Sequence, residues 1–153
     1  AYHALVIDHG LDDSGTFETL HGRDSRNRFR FTGNVPRGKH AITHFNVLER
    51  FTQGVALVEC RLETGRTHQI RVHLLHIGHP VVGDPVYGVG WERGMGGPTH
   101  AWAKDFARRV PRQFLHAAEL VFVHPISGEK MRFEVPLPDD LARAAAWARG
   151  ELP

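Results

Sequence analysis

The residues best suited to chemistry are concentrated between positions 61 and 88, where four histidines and three arginines lie close together. Imidazole is a common zinc ligand, and His73 and His76 would share one face of a helix. The spacing of His68, His73, His76 and His79 nevertheless lacks the acid-linked pair, four residues apart, that zinc-binding helices use. No cysteine joins them. We therefore predict no metal site, and we expect these histidines to hydrogen-bond within the fold or to phosphates.

The arginines of the same stretch suit an anion instead. Gly65 ends a strand, and Thr67 is the predicted N-cap of a helix over His68–Ile77. Backbone N–H groups at a helix start, with Arg66 beside them, favour a phosphate. A purely structural cap at Thr67 stays open, because caps and anion sites share this geometry. Asp84, between Gly83 and Pro85, is predicted to be a turn residue that bonds its own backbone.

The elements that must position these residues alternate between strand and helix patterns. Two hairpin signals imply antiparallel pairing, so we predict an α+β fold, a mostly antiparallel mixed sheet with flanking helices. The glycine-rich segment 88–100 is predicted to be a mobile loop. The predicted strands are 2–8, Phe17–His21, Arg28–Thr32, Ala41–Phe51 paired with Gly54–Leu62, and Ala117–His124 paired with Lys130–Val135. Two further helices are predicted, at Ala101–Arg109 and Asp139–Arg149.

Length and composition restrict the class of protein. The 153 residues suit one domain with a real core, and 41% hydrophobic with 24% charged residues is globular composition. No apolar run is long enough to cross a membrane, and no basic-then-apolar leader opens the chain. The single cysteine, Cys60, allows no internal disulfide, so we expect a cytoplasmic protein.

Charge is unevenly distributed despite a net charge of only +2. Residues 1–20 carry four acids and no lysine or arginine, whereas residues 21–50 carry seven bases and two acids. A second basic cluster comprises Lys104, Arg108, Arg109 and Arg112. We expect a basic track that faces a polyanion such as RNA. The alternative is a solvated surface whose charges balance in three dimensions.

Four motifs, in order along the chain, carry a family resemblance. They are Tyr-His-Ala-Leu-Val at 2–6, Gly-Lys-His-Ala-Ile-Thr-His-Phe at 38–45, LETGRTHQIRVH with HIGHPVVGDPVYG at 62–88, and Phe-Leu-His-Ala with His-Pro-Ile-Ser-Gly at 114–128. Together they resemble the RluA family of pseudouridine synthases, particularly its members that modify large-subunit ribosomal RNA.

The resemblance implies an isomerase that converts uridine to pseudouridine in folded RNA, by base flipping and without cofactor or metal. It implies that Arg71 pairs with an essential aspartate, that Tyr2 stacks on the target base and that Leu115 packs against this base. Ordinary core roles remain the alternative for Tyr2 and Leu115. The expected RNA contacts are Arg66, Thr67, His68, Gln69, Arg26, Arg28, Arg30 and Lys39.

The family's essential aspartate lies in a His-Arg-Leu-Asp motif upstream of the Tyr-x-Ala-x-Val strand, and no Arg-Leu-Asp occurs here. We therefore expect residues 1–153 to be a catalytic domain that lacks its N-terminal portion and is inactive without it. A degenerate protein that has lost catalysis is the alternative. Without the aspartate, Arg71 would be unpaired, so we expect it to be open to solvent or bound to an anion.

Two other functions compete with catalysis on this reading. One is an RNA-binding protein of the same fold without activity. The other, from a different class, is a metal-dependent hydrolase built on the histidines, which the spacing argues against.

Overall fold

Six strands form one sheet in the computed structural model, which describes all 153 residues of the chain. Their order across the sheet is β3-β2-β4-β5-β1-β6, and every neighbouring pair is antiparallel. The α+β prediction is confirmed. The strands are β1 (Tyr2–Ile7), β2 (Ser14–Arg23), β3 (Phe31–Thr32), β4 (Lys39–Phe51), β5 (Val55–Leu62) and β6 (Leu115–Ala117), and a separate hairpin joins β7 (Glu119–Val123) to β8 (Lys130–Glu134).

Three helices cover the sheet. They are α1 (Gln69–His76), α2 (Pro98–Arg109) and α3 (Asp139–Arg149). The last of these has the predicted bounds, and it ends at Gly150, which takes a positive φ of 79° at the helix C-terminus. No helix combines the length and the apolar character that crossing a membrane would require.

The alternation of side chains along the central strands builds two cores. Ala4 and Val6 of β1 face a cluster that includes Ile70 and Leu74 of α1. Residues Leu5 and Ile7 face the opposite cluster, which includes residues of α2 and α3 such as Phe106 and Leu141. Residues Val55–Val58 of β5 are all buried, because both faces of this strand are covered. This explains why the sequence of β5 is a continuous apolar run and does not alternate. Helix α1 therefore lies on one face of the sheet, and α2 and α3 lie on the other.

Three local predictions need correction. The strand predicted at Phe17–His21 extends over Ser14–Arg23, because eight of its residues pair with β4. Of the predicted strand Arg28–Thr32, only Phe31–Thr32 pairs. The segment 88–100 is not a free loop, because Trp91, in a short 3-10 helix, and Met95 are buried in the core beside α2.

The hairpin of β7 and β8 is confirmed as a hairpin, but it lies outside the main sheet. One of its faces is apolar: Leu120 pairs with Phe133 and Phe122 pairs with Met131. The other face carries charges, which include Arg132 bonded to Glu119.

Candidate nucleic-acid interface

Arg71, on α1, is paired with a carboxylate of this chain. Its Nε donates to Asp84 Oδ2 at 2.6 Å and its Nη2 donates to Asp84 Oδ1 at 2.8 Å. The side chain of Arg71 is 9% exposed and that of Asp84 is fully buried. The expectation of an unpaired, open Arg71 is therefore wrong, because the turn that follows α1 brings its own aspartate under the helix.

Asp84 does form the predicted turn. Its Oδ1 accepts hydrogen bonds from the backbone N–H groups of Val86 and Tyr87, both at 2.9 Å. Burial by itself would raise the pKa of the Asp84 carboxyl, but the bonds from Arg71 and from these two N–H groups lower the pKa below its ordinary value. Asp84 is therefore ionised and fixed at four points.

One nitrogen of Arg71 remains available. Nη1 donates no hydrogen bond within the chain, and it is not among the fully buried atoms that lack a partner. This nitrogen therefore keeps contact with solvent. A second carboxylate can approach it without displacing Asp84, since a guanidinium has five N–H donors.

Tyr87 connects α1 to the basic segment between β2 and β3. The Arg71 guanidinium lies 4.8 Å from its ring centre, and that of Arg30 lies 5.1 Å away. Its hydroxyl accepts from the Phe31 N–H at 2.9 Å and is hydrogen-bonded to His68 Nδ1 at 2.9 Å. No role was predicted for Tyr87, although it follows Asp84 closely within the recognised motif.

A cavity of about 340 Å³ opens between β2, β4 and the turn before α1. It brings together three of the predicted RNA contacts, Lys39, Arg66 and Thr67, with His21 and Phe31. No carboxylate lines it, and neither cation forms an ion pair within the chain. The cavity is therefore positively charged and open to an anion.

A second cavity, of about 500 Å³, shares the basic end of the sheet. Arg23, Arg26 and Arg37 line it against Asp24 alone. The predicted contact Arg28 lies outside both cavities, over the ring of the exposed Phe29 at 5.8 Å. The basic segment 21–39 thus forms one surface at this end of the sheet, which we call the β2–β4 basic surface.

Gln69, one of the predicted RNA contacts, has a structural role, whereas the capping role predicted for Thr67 is absent. Gln69 is buried, its Oε1 accepts from Arg66 N and Thr64 Oγ1, and its Nε2 donates to Ile42 O and Thr43 Oγ1. With every donor and acceptor used, Gln69 cannot contact RNA. The prediction of an N-cap at Thr67 is also wrong: the helix begins after His68, which has a left-handed φ of 58°, and no side chain caps it.

Tyr2 and Leu115 lie on the α1 face of the sheet. Leu115 pairs with Ala4, two residues along β1 from Tyr2, and both side chains pack, half-buried, against the cluster that contains Ile70 and Leu74. The structure therefore places Tyr2, Leu115 and the helix that carries Arg71 on one face. The second basic cluster is on the opposite face with α2, where Arg112 is paired with Asp140 and Arg109 with Asp105.

Three of the four histidines at 68–79 are hydrogen-bonded within the fold, and the fourth, His76, is exposed and makes no side-chain hydrogen bond. His73 is fully buried between the hydroxyls of Thr43 and Thr19, at 2.8 and 2.9 Å, and burial lowers its pKa to about 4. His79 bonds the Ile7 carbonyl and His68 bonds Tyr87. No group of three or more His, Cys, Asp or Glu side chains is arranged to hold a metal ion.

Residues 1–76 match the sequence model of the RNA pseudouridylate synthase family. Over 141 residues, 92% of this chain, the sequence is 50% identical to ribosomal large subunit pseudouridine synthase D of Nitrosomonas europaea. Over 151 residues, 99% of this chain, it is 44% identical to the enzyme of the same name from Escherichia coli K12. The chain belongs to the RNA pseudouridylate synthase family.

Solved structures of this family share the fold. Human RNA Pseudouridylate Synthase Domain Containing 1 matches with a TM-score of 0.68 and 30% identity, over 94% of this chain and 57% of that one. Human RNA Pseudouridylate Synthase Domain Containing 4 matches with a TM-score of 0.69 over 97% of this chain and 61% of that one. At 22% identity this match shows the fold alone. The chain spans 38% of the Nitrosomonas protein and 45% of the Escherichia coli protein.

Proposed function

We propose that this chain forms the RNA-binding part of a pseudouridine synthase that acts on structured RNA, specifically large-subunit ribosomal RNA, in the cytoplasm. The observation that carries this proposal is the match of 44–50% identity, over nearly the whole chain, to synthases named for the ribosomal large subunit. The β2–β4 basic surface supplies the positive charge that an RNA backbone requires.

In the proposed reaction the target uridine leaves the stack, its bond from N1 to the ribose C1′ breaks, the uracil rotates, and a bond from C5 to C1′ replaces the broken one. C5 loses its proton and N1 gains one, so the product is an isomer of uridine. Tyr2 and Leu115 would hold the flipped base from the α1 face of the sheet. A phenol offers such a base a flat apolar surface and a polar end.

The catalytic carboxylate in this proposal comes from the family's His-Arg-Leu-Asp segment, outside residues 1–153. The free Nη1 of Arg71 supports this assignment, since it can receive a second carboxylate while Asp84 keeps Nε and Nη2. Asp84 is not itself the catalyst in this scheme, because its carboxylate is fully buried and is held by four hydrogen bonds from Arg71 and the turn.

One observation favours an alternative, an RNA-binding protein of this fold without catalysis. The charge of Arg71 is already balanced by Asp84, so the fold is electrostatically complete without another aspartate.

The test is conversion of uridine to pseudouridine in large-subunit ribosomal RNA, by the 153-residue chain and by the full product of its gene. We expect conversion by the full product and RNA binding without conversion by the chain alone. Conversion by the chain alone would refute the assignment of the aspartate. Binding without conversion by both proteins would establish the alternative.

A further inference from the structure

His21 has a buried nitrogen that nothing in the chain satisfies. The residue is 5% exposed, and its Nδ1 is fully buried without a hydrogen-bond partner. Its other nitrogen, Nε2, lies 2.8 Å from the Thr67 carbonyl oxygen. Because a carbonyl only accepts, Nε2 carries the ring hydrogen, and Nδ1 of the neutral ring is an acceptor that needs a donor.

The ring is held neutral by its surroundings. Burial lowers the pKa of His21, the bond to Thr67 raises it, and the charge of Arg66 lowers it further, with a net result below the ordinary value. An unsatisfied buried acceptor is costly, and such an atom in a native fold calls for an explanation. A donor supplied by a ligand is one.

The position of His21 indicates what that ligand carries. His21 lines the 340 Å³ cavity with two cations, Lys39 and Arg66, and neither of them forms an ion pair. A ligand that pairs with both cations and with His21 Nδ1 needs an anionic group and, within the same small unit, an N–H or O–H donor. A ribonucleotide has both, because its 2′-hydroxyl and its base edge carry donors near the phosphate.

We propose that this cavity is a subsite for one single-stranded ribonucleotide of the RNA substrate. The phosphate binds at Lys39 and Arg66, and a donor of the same nucleotide bonds to His21 Nδ1 once the ring shifts to expose this nitrogen to the cavity. The inference rests on the proposed RNA-binding function and adds a residue and a selectivity to it. His21 then distinguishes ligands by their donor, whereas the two cations respond only to charge.

The test measures the affinity of the 153-residue chain for a single-stranded RNA and for a 2′-deoxy oligonucleotide of the same sequence that retains uracil. The variant His21→Gln keeps a donor to the Thr67 carbonyl through its amide nitrogen and removes the Nδ1 acceptor. We expect a five- to ten-fold loss of RNA affinity with the deoxy affinity unchanged, which identifies the 2′-hydroxyl as the donor. An equal loss on both oligonucleotides identifies a base donor.

Two further variants, each with a matched control, keep the test decisive if His21→Gln unfolds, which circular dichroism would show. Lys39→Gln should weaken the binding of both oligonucleotides equally. Its control is Lys104→Gln, which changes an exposed lysine on the opposite face of the sheet. Gly65→Ala adds a methyl group where nothing lies within 4 Å and should weaken RNA several-fold. Gly96→Ala, equally unobstructed and distant in the fold, should not.

The outcomes separate the two proposals. If folded His21→Gln binds both oligonucleotides as the wild type does, the subsite is wrong while RNA binding stands. If Gly65→Ala has no effect where His21→Gln is unfolded, the subsite is again wrong. If the wild-type chain binds no RNA, the subsite and the proposed function both fail.

Discussion

Asp84 holds four hydrogen bonds inside the protein, two from the Arg71 guanidinium and two from backbone N–H groups. A buried ion pair contributes little when it is compared with an apolar pair, but the loss of one partner leaves the other charge buried and uncompensated. The Arg71–Asp84 pair should therefore be sensitive to a change on one side only.

We predict that Asp84→Asn lowers the free energy of unfolding by about 3–5 kcal/mol, as measured by urea denaturation at pH 7. The matched control is Asp105→Asn, whose partner Arg109 lies one helical turn away on the surface. That change should cost less than about 1 kcal/mol. Similar losses in the two variants would mean that water screens the Arg71–Asp84 pair.

His73 predicts a dependence of stability on pH. Its folded pKa of about 4 lies below the unfolded value of 6.5, so the unfolded chain binds the proton more strongly. Stability is complete above pH 6.5 and is lost as the pH falls toward 4. Between pH 7 and pH 5 we expect His73 to account for a loss of about 2 kcal/mol in the free energy of unfolding.

The measurement compares urea denaturation at the two pH values for the wild type and for His73→Asn. The variant should show a smaller decrease between pH 7 and pH 5, because its side chain takes up no proton on unfolding. A decrease equal to that of the wild type would assign the pH dependence to other groups. Titration of the His73 ring by NMR gives its pKa directly.

At the scale of elements, α1 is joined to the sheet by the side chain of Gln69. Its four hydrogen bonds connect the turn before the helix with β4, at Ile42 and Thr43. Since no side chain caps α1, these bonds are what fix the start of the helix against β4.

Gln69→Ala should lower the free energy of unfolding by about 2–4 kcal/mol, because Ile42 O and Arg66 N would lose buried partners. Gln53→Ala is the control, since Gln53 lies in the β4–β5 turn and its side chain makes no hydrogen bond. Hydrogen exchange should show faster opening of α1 in the first variant alone. An undisturbed α1 would mean that water replaces the amide.

Local signals in the sequence predict the elements whose causes are local. The β4–β5 hairpin follows from its turn and from the apolar run of β5, and α3 follows from its periodicity and Gly150. Predictions fail where the cause is distant in sequence. Trp91 is buried because α2 returns to cover it, and no local signal shows this.

The candidate site divides in the same way. Arg66, Arg71 and Lys39 could be selected from motifs and charge, since these are properties of short segments. The Arg71–Asp84 pair spans 13 residues and the bond from His21 to Thr67 spans 46. Such pairings depend on how α1 packs against the sheet. The periodicity of a segment carries no information about that packing.

For the whole molecule, the sheet separates two basic clusters that the sequence assigned to one RNA-facing track. The β2–β4 basic surface lies beside α1, while Lys104 and Arg108 lie with α2 on the opposite face. An RNA segment bound in the 340 Å³ cavity contacts the β2–β4 basic surface and cannot also contact the cluster around Lys104, because the sheet lies between them. Only the first cluster should therefore control binding.

We predict that Arg26→Glu with Lys39→Glu lowers RNA affinity more than ten-fold. The slope of log affinity against log salt concentration should decrease by the amount that about two phosphate contacts contribute. The pair Lys104→Glu and Arg108→Glu, which makes the same change in net charge, should alter affinity less than three-fold. Fluorescence anisotropy over a salt series measures both. Equal effects would mean that RNA responds to the net charge of the protein.

His68 is the single non-glycine residue with a positive φ, and its ring bonds the Tyr87 hydroxyl. Its backbone favours glycine, asparagine or aspartate, while its side chain must reach a phenol across the turn. These two demands select different residue types. In a library of all substitutions, position 68 should therefore tolerate few replacements: glycine would fold without the Tyr87 bond, and β-branched residues would be lost because they fit neither demand.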